Sequence, residues 1–261
     1  MDSRKIMYYS LMRCIVMGLA VEYEDIGTGK TVVMLHGWKD DLHTFDDITQ
    51  SLSNSFRVIR IDLPGFGGSE PPPCDWILDD YVGFVKDFFI KLNIRPDILV
   101  GHSFGGRITI KGISTNKLIA KKVVLISSAG VARRKTLKNL ILAMLAKIGR
   151  VVMAIPPISF WKQNIRRRLY KHIGSDYFRA GALSGTFRNI IKEDLSEVAK
   201  NISVPTLIIW GSGDNTTPIG EGKRLNKLIS GSKLEVIGGA GHFVHQERPE
   251  EVVNLISKFS I

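Results

Sequence analysis

The 261-residue sequence predicts an α/β fold in which a mostly parallel β-sheet is flanked by helices. Short apolar segments alternate with longer segments whose apolar residues recur at helical spacing. Four of the short segments are apolar almost throughout, which is typical of parallel strands buried on both faces. Alternation of this kind indicates right-handed crossover connections through helices.

The first predicted element is an antiparallel hairpin from Cys14 to Ile26 that turns at Gly18. Six further strands are predicted, each bounded by Gly, Pro, Asn or Asp, at residues 31–36, 57–62, 97–102, 122–127, 205–211 and 233–238. Residues 79–92 predict a helix. Residues 106–118 do so less regularly, because Gly112 weakens the pattern.

The alternation stops after Gly130, and the chain as far as about Leu195 has a basic, helical pattern without obvious strands. Residues 131–192 hold 14 Lys and Arg residues against one acidic residue, whereas the rest of the chain holds 22 basic and 24 acidic residues. The charge therefore belongs to one segment. We predict a core domain of residues 1–130 and 196–261, interrupted by a basic helical insertion at 131–195.

Composition argues against disorder and secretion. Apolar residues make up 44% of the chain, enough for a sizeable core. Cys14 and Cys74 are too few for a disulfide framework and fit a reducing compartment, so we expect a cytoplasmic protein. Arg13 interrupts the N-terminal apolar stretch, which predicts neither a signal peptide nor an anchor. No apolar run approaches the roughly 18 to 20 residues of a membrane-spanning helix.

Residues 101–105 read G-H-S-F-G, the G-x-S-x-G pattern, between a predicted strand and a predicted helix. In that context the pattern is typical of a nucleophile elbow, in which Ser103 occupies a strained strand-to-helix turn. Side chains at Gly101, Gly105 and the following Gly106 would collide with such a turn, and His102 and Phe104 flank the serine. The alternative is a tight turn merely capped by a serine.

A serine hydroxyl needs a base to take its proton and a carboxylate to orient that base. Three histidines lie downstream of Ser103. His242, which directly follows the last strand in a glycine-rich loop, is the predicted base, and His245 is the second candidate. His172 lies in the basic insertion. Asp214 follows the penultimate strand at its carboxyl end and is the predicted acid. Glu193 and Asp194 near the exit of the insertion are expected to be capping or surface charges.

An oxyanion would need preorganised donors. The backbone N–H of Phe104, just after the serine, is one candidate, and the N–H of Trp38, after the first central strand, is the other. His36 and Gly37 shape that loop. The side chain of His36 is expected to be structural.

Five segments in this order resemble the α/β-hydrolase superfamily: HGW at 36–38, DLPGFGGS at 62–69, GHSFGG at 101–106, WGSGD at 210–214 and GAGHF at 239–243. The resemblance covers nearly the whole chain apart from the insertion. It implies an eight-stranded, mostly parallel sheet, a Ser103–Asp214–His242 triad, and a helical cap between the sixth and seventh strands, with no cofactor or metal. Relatives that cleave epoxides or carbon–halogen bonds carry aspartate at the nucleophile position, so Ser103 favours acyl chemistry.

The resulting prediction is a carboxylesterase-like serine hydrolase that acts on a small-molecule ester. Lipase-like interfacial hydrolysis, C–C bond hydrolysis and perhydrolysis use the same triad and stay open, and so does a non-catalytic ligand-binding protein. The basic cap has three interpretations: a solvated face, a lid in peripheral contact with anionic membranes, or steering of an acidic substrate. No nucleic-acid-binding motif accompanies the charge. The oligomeric state is not predicted.

Overall fold

The computed structural model describes residues 11–131 and 183–261. Within this part of the chain, eight strands form one sheet in the order β1-β2-β4-β3-β5-β6-β7-β8. The strands are β1 Met12–Val16, β2 Leu19–Ile26, β3 Lys30–Leu35, β4 Phe56–Ile61, β5 Ile98–His102, β6 Lys122–Ile126, β7 Thr206–Gly211 and β8 Lys233–Ile237. The described helices are α1 Asp46–Leu52, α2 Leu78–Lys91, α3 Phe104–Ser114, α4 Ser184–Lys192, α5 Ser196–Ala199, α6 Ile219–Leu228, α7 Val244–Glu247 and α8 Pro249–Ser260, with a 3₁₀ helix at Leu42–Phe45.

The predicted N-terminal hairpin is confirmed. β1 pairs with β2 in antiparallel register, and β2 continues antiparallel to β4. Met17 and Gly18 connect the two strands with φ of 51° and 79°. Positive φ at both positions of a two-residue loop matches the right-handed twist of the strands that it joins.

From β4 to β8 every pair of neighbouring strands is parallel, which confirms the predicted α/β class and the mostly parallel sheet. The central strands are buried along nearly their whole length, as the near-continuous apolar character of their sequences indicates. β8 lies at the edge, where Lys233 and Glu235 alternate with apolar residues and only Ile237 is buried. The carboxyl ends of β3, β5, β6, β7 and β8 therefore meet at one edge of the sheet.

Helix α3 begins two residues before the predicted helix and ends four residues before its predicted end. It ends early because the chain turns back, with the amides of Lys117 and Leu118 both donating to the carbonyl of Gly112. A Cβ on Gly112 would lie 2.4 Å from Cδ1 of Leu118. The glycine that weakened the helical pattern thus makes room for the returning chain.

A buried ion pair fixes the loop after β3. Arg60 on β4 is fully buried, and its Nε donates to Oε2 of Glu24 on β2 at 2.6 Å. The same guanidinium donates to the carbonyl of Leu42 at 3.1 Å and pairs with Asp46 at the start of α1. Asp62 accepts the amide of Leu42 at 2.7 Å. Charged groups thus hold the 3₁₀ helix against the carboxyl end of the sheet.

The insertion leaves after β6 and returns before β7, as the sequence predicts. The chain divides into two compact units, residues 1–132 with 188–261, and residues 133–187. Residues 132–182 lie outside the described residues. The boundaries of the basic cap, its cluster Arg166–Arg168, His172 and the suggested membrane contact therefore stay predictions. No helix of the described residues is both long and apolar enough to cross a lipid bilayer.

The chain re-enters the core unit through contacts with α3. Arg107 donates to the carbonyls of Ile190 and Glu193 at the end of α4, where a cation is favourable. Lys111 pairs with the carboxylate of Glu193. Oδ1 of Asp194 accepts the amide of Ser196 at 3.0 Å, at the start of α5. Glu193 is thus occupied by an ion pair, and Asp194 by hydrogen bonds from Ser196.

Candidate active site

Ser103 occupies the turn between β5 and α3 with φ 48° and ψ −105°. Such a backbone conformation is unfavourable for a non-glycine residue and persists only where its surroundings impose it. Here the amide of Ser103 donates to the carbonyl of Ile126 at 3.1 Å, and its carbonyl accepts from the amides of Arg107 and Ala129. The strand beside β5 and the first turn of α3 therefore hold the strained turn in place.

The glycines around Ser103 allow close packing of backbone. A Cβ on Gly105 would lie 2.0 Å from the carbonyl oxygen of Leu35 at the end of β3. A Cβ on Gly101 would lie 2.6 Å from the carbonyl oxygen of Gly105, and one on Gly106 would lie 2.1 Å from Oγ of Ser128. Each distance is far below van der Waals contact. The start of α3 can approach the sheet only because these side chains are missing.

The loop after β3 lies directly against this turn. The amide of Gly105 donates to the carbonyl of His36 at 2.9 Å, and a Cβ on Gly37 would lie 3.5 Å from Cβ of Ser103. The rings of Trp38 and Phe104 pack edge to face with centroids 5.3 Å apart. The backbone N–H of Phe104 belongs to the first turn of α3, whose amides have no partner within the helix. Two backbone segments thus border the serine.

His36 has a structural environment. Its side chain is fully buried, with Nδ1 donating to the carbonyl of Gly37 at 2.7 Å and Nε2 accepting the amide of Leu63 at 2.9 Å. Burial lowers the pKa of His36 to about 4, so the ring is neutral at physiological pH. Both ring nitrogens are used to shape the loop, and the ring is not available as a base.

Asp214 and His242 meet at the carboxyl ends of β7 and β8. Nδ1 of His242 lies 2.9 Å from Oδ2 of Asp214. Oδ1 of Asp214 accepts the amides of Thr216 and Thr217, both at 2.8 Å. Burial raises the pKa of Asp214, but the hydrogen bonds from His242 and Thr217 outweigh burial and leave it below its ordinary value. The carboxylate is ionised and faces the imidazole.

His242 also lies beside the serine turn. Its carbonyl oxygen is 3.2 Å from Nε2 of His102, the residue that precedes Ser103. The centroids of the His102 and His242 rings are 4.9 Å apart. The structure thus brings the end of β5, the loop carrying Asp214 and the loop carrying His242 to one place.

A family model for the alpha/beta hydrolase family matches residues 32–255. The chain belongs to the α/β hydrolase family. The AB hydrolase superfamily protein YisY of Bacillus subtilis is 28% identical over 253 residues, covering 91% of this chain and 94% of the relative. The 2-hydroxy-6-oxo-6-(2'-aminophenyl)hexa-2,4-dienoic acid hydrolase of Metapseudomonas resinovorans is 25% identical over 255 residues, covering 93% and 88%.

Solved structures have the same fold. The bromoperoxidase of Bacillus anthracis superposes with a TM-score of 0.73 at 23% identity, covering 96% of this chain and 99% of its own. The fold class and the family resemblance drawn from the sequence are therefore confirmed, and the protein is a hydrolase of the α/β family.

Thr217 was not anticipated from the sequence of this α/β hydrolase. Its side chain is buried, and Oγ1 lies 2.8 Å from Oδ2 of Asp214, 3.1 Å from the carbonyl of Ser127 and 3.2 Å from Nδ1 of His242. A short polar side chain three residues after an aspartate at the end of a strand is a local signal that would have suggested it. Glu247 was also missed, and it accepts the amide of Gly241 at 2.8 Å in the loop before His242.

His245, the alternative candidate for the base, contacts Thr44 and not Asp214 through its Nε2. It is fully buried, and Nε2 lies 3.0 Å from Oγ1 of Thr44. Burial, with a smaller contribution from His242, lowers the pKa of His245 to about 3. This histidine packs against His102, with ring centroids 4.5 Å apart. Among the described residues, no group of three or more His, Cys, Asp or Glu has an arrangement that would hold a metal ion.

Proposed function

We propose that the protein is a carboxylesterase-like serine hydrolase that cleaves a small or medium acyl ester through an acyl-enzyme intermediate. Ser103 is the nucleophile, His242 the general base and Asp214 the orienting acid. The observation that carries this proposal is the 2.9 Å contact between Nδ1 of His242 and Oδ2 of Asp214 beside the strained turn of Ser103.

The Asp214 carboxylate accepts a hydrogen bond from Nδ1–H of His242, which leaves the lone pair on Nε2. Nε2 takes the hydroxyl proton of Ser103 as Oγ attacks the acyl carbon, and a tetrahedral oxyanion forms. The imidazolium then gives that proton to the leaving alcohol, and an acyl-enzyme remains. A water molecule attacks the acyl carbon with His242 again as base, and the acid is released as Ser103 regains its proton.

We assign the oxyanion hole to the backbone N–H groups of Trp38 and Phe104. The packing of Gly37 against Ser103 and the start of α3 at Phe104 support this assignment. Because these donors belong to the backbone of a tightly packed turn, they need little reorganisation when the charge develops. Removal of one such donor typically costs about 10²- to 10³-fold in rate.

A fluorophosphonate probe tests the proposal. The wild-type protein is expected to be labelled, and Ser103→Ala is expected to lose both labelling and turnover of p-nitrophenyl esters. Ser51→Ala, an exposed serine on α1, is the matched control and is expected to behave as wild type. A wild-type protein that is folded, unlabelled and inactive on esters would instead favour a ligand-binding protein.

The second candidate is hydrolysis of a C–C bond in a diketone-like acid by the same three residues. The similarity to the dienoic acid hydrolase of Metapseudomonas resinovorans supports including such an acid in the substrate screen. An ester series of increasing acyl length, compared with a diketone-like acid at equal concentration, separates the two candidates by their kcat/KM values.

A further inference from the structure

His102 is buried between the nucleophile and the loop of the general base. Its side chain is 1% exposed, at the end of β5 immediately before Ser103. Its ring contacts two rings of the loop after β8 and one ring of α7, with centroids 4.9 Å from His242, 5.3 Å from Phe243 and 4.5 Å from His245. Burial of a polar ring costs free energy unless its nitrogen atoms form hydrogen bonds.

The hydrogen bond of Nε2 determines the tautomer of His102. Nε2 lies 3.2 Å from the carbonyl oxygen of His242, and a carbonyl oxygen only accepts hydrogen bonds. Nε2 therefore carries the proton. Burial, reinforced by His245, His242 and His36, holds the pKa of His102 well below its ordinary value, so the ring is neutral and Nδ1 has a lone pair.

Asp40 lies on the other side of the ring. Its Oδ2 is 3.9 Å from Nδ1 of His102, and both atoms are buried without a hydrogen-bond partner. Burial raises the pKa of Asp40, and hydrogen bonds with Thr44 and the amide of Asp41 oppose this shift. Asp40 follows Trp38 by two residues, so this side chain comes from the proposed oxyanion loop.

We propose that His102, at the end of β5, is a positioning residue whose Nε2–H donates to the main-chain carbonyl of His242 and holds the loop of the base against the serine turn. The proposal rests on the proposed hydrolase function. One side chain then links the two backbone segments that carry the nucleophile and the base. Since a small displacement of a catalytic group costs a large factor in rate, this link sets how His242 faces Ser103 and Asp214.

The test removes and then restores the donor. His102→Leu keeps an apolar side chain of similar size without a donor, and His102→Gln places an amide N–H near the position of Nε2. We expect His102→Leu to lower kcat by about tenfold with little change in KM, the scale of one lost hydrogen bond. We expect His102→Gln to recover most of that loss. His43→Leu, an exposed histidine outside the site, is the control and is expected to match wild type.

Two readouts separate positioning from stability. The downfield proton signal of Nδ1–H of His242, bonded to Asp214, is expected to shift or broaden in His102→Leu and to return in His102→Gln. In an Asp214→Asn background, where His242 is already misoriented, His102→Leu is expected to have little further effect on kcat, because residues that act through one another are not additive.

The proposal and the underlying function fail in different ways. A wild-type protein without fluorophosphonate labelling overturns the hydrolase function itself. A labelled wild type overturns only the positioning role if folded His102→Leu has normal kcat and an unchanged proton signal. The positioning role is also overturned if the double variant His102→Leu/Asp214→Asn loses kcat by the product of the two single losses. If His102→Leu does not fold, His102→Asn replaces it, because its shorter amide does not reach the carbonyl of His242. A lowered kcat and a shifted proton signal in His102→Asn that His102→Gln restores support the role, and normal values in both variants overturn it.

Discussion

Replacement of Asp214 by asparagine tests the orientation of His242 most directly. Oδ1 of Asp214 accepts two backbone amides at 2.8 Å, so the asparagine carbonyl must occupy that position. Its NH₂ group then faces Nδ1 of His242, which now accepts instead of donating. The imidazole proton moves to Nε2, and the ring cannot take the proton of Ser103. The same replacement in a Ser-His-Asp triad costs about 10⁴-fold in kcat, or roughly 5 kcal/mol in activation free energy.

The assay is steady-state turnover of a p-nitrophenyl ester, with thermal unfolding measured on the same preparations. Asp47→Asn, an exposed aspartate in the first turn of α1, is the matched control and is expected to retain wild-type turnover. Asp214→Asn is expected to stay folded, because the asparagine keeps both backbone hydrogen bonds. A folded Asp214→Asn protein with turnover within tenfold of wild type would show that Asp214 does not orient the base.

Two further replacements, the first with a matched control, test the packing that positions the site. Gly105→Ala is expected to destabilise the fold by several kcal/mol, because its Cβ would lie 2.0 Å from the carbonyl oxygen of Leu35. Gly83→Ala on α2 is the control: its Cβ would meet nothing within 4 Å, and it is expected to stabilise the fold by up to about 1 kcal/mol. Equal unfolding temperatures for the two variants would contradict this. Glu24→Gln removes a charge beside the buried Arg60, which keeps Asp46 as a second partner, and is expected to cost about 1.5–3 kcal/mol of unfolding free energy, measured by urea denaturation. A loss below about 1 kcal/mol would mean that other contacts neutralise the guanidinium.

Much of the fold was predictable because its signals are local. The apolar segments at 122–127 and 205–211 became β6 and β7, since a strand buried on both faces needs apolar residues in succession. Gly18 marked the hairpin turn because few other residues accept its positive φ. The end of α3 was predicted four residues too late, since the return of Leu118 over Gly112 is a tertiary contact without a sequence pattern of its own.

The meeting of the loops that carry Ser103, Asp214 and His242 was predictable for a different reason. Ser103, Asp214 and His242 each follow a strand, and the carboxyl ends of parallel strands share one edge of a sheet. The contacts of Thr217 and His102 do not follow from strand ends. The contact of Thr217 with Asp214 depends on how their shared loop folds, and the partner of His102, the carbonyl of His242, lies on another loop.

The amino-acid sequence by itself determined the order of strands and helices, the glycine-lined turn at Ser103 and the candidates for base and acid, because these depend on periodicity and on short-range steric limits. Only the tertiary structure decided that His242 rather than His245 faces Asp214, and that His102 donates to the main-chain carbonyl of His242. Hydrogen bonds between distant loops require atoms to lie within about 3 Å, and that proximity arises only when the whole sheet is assembled.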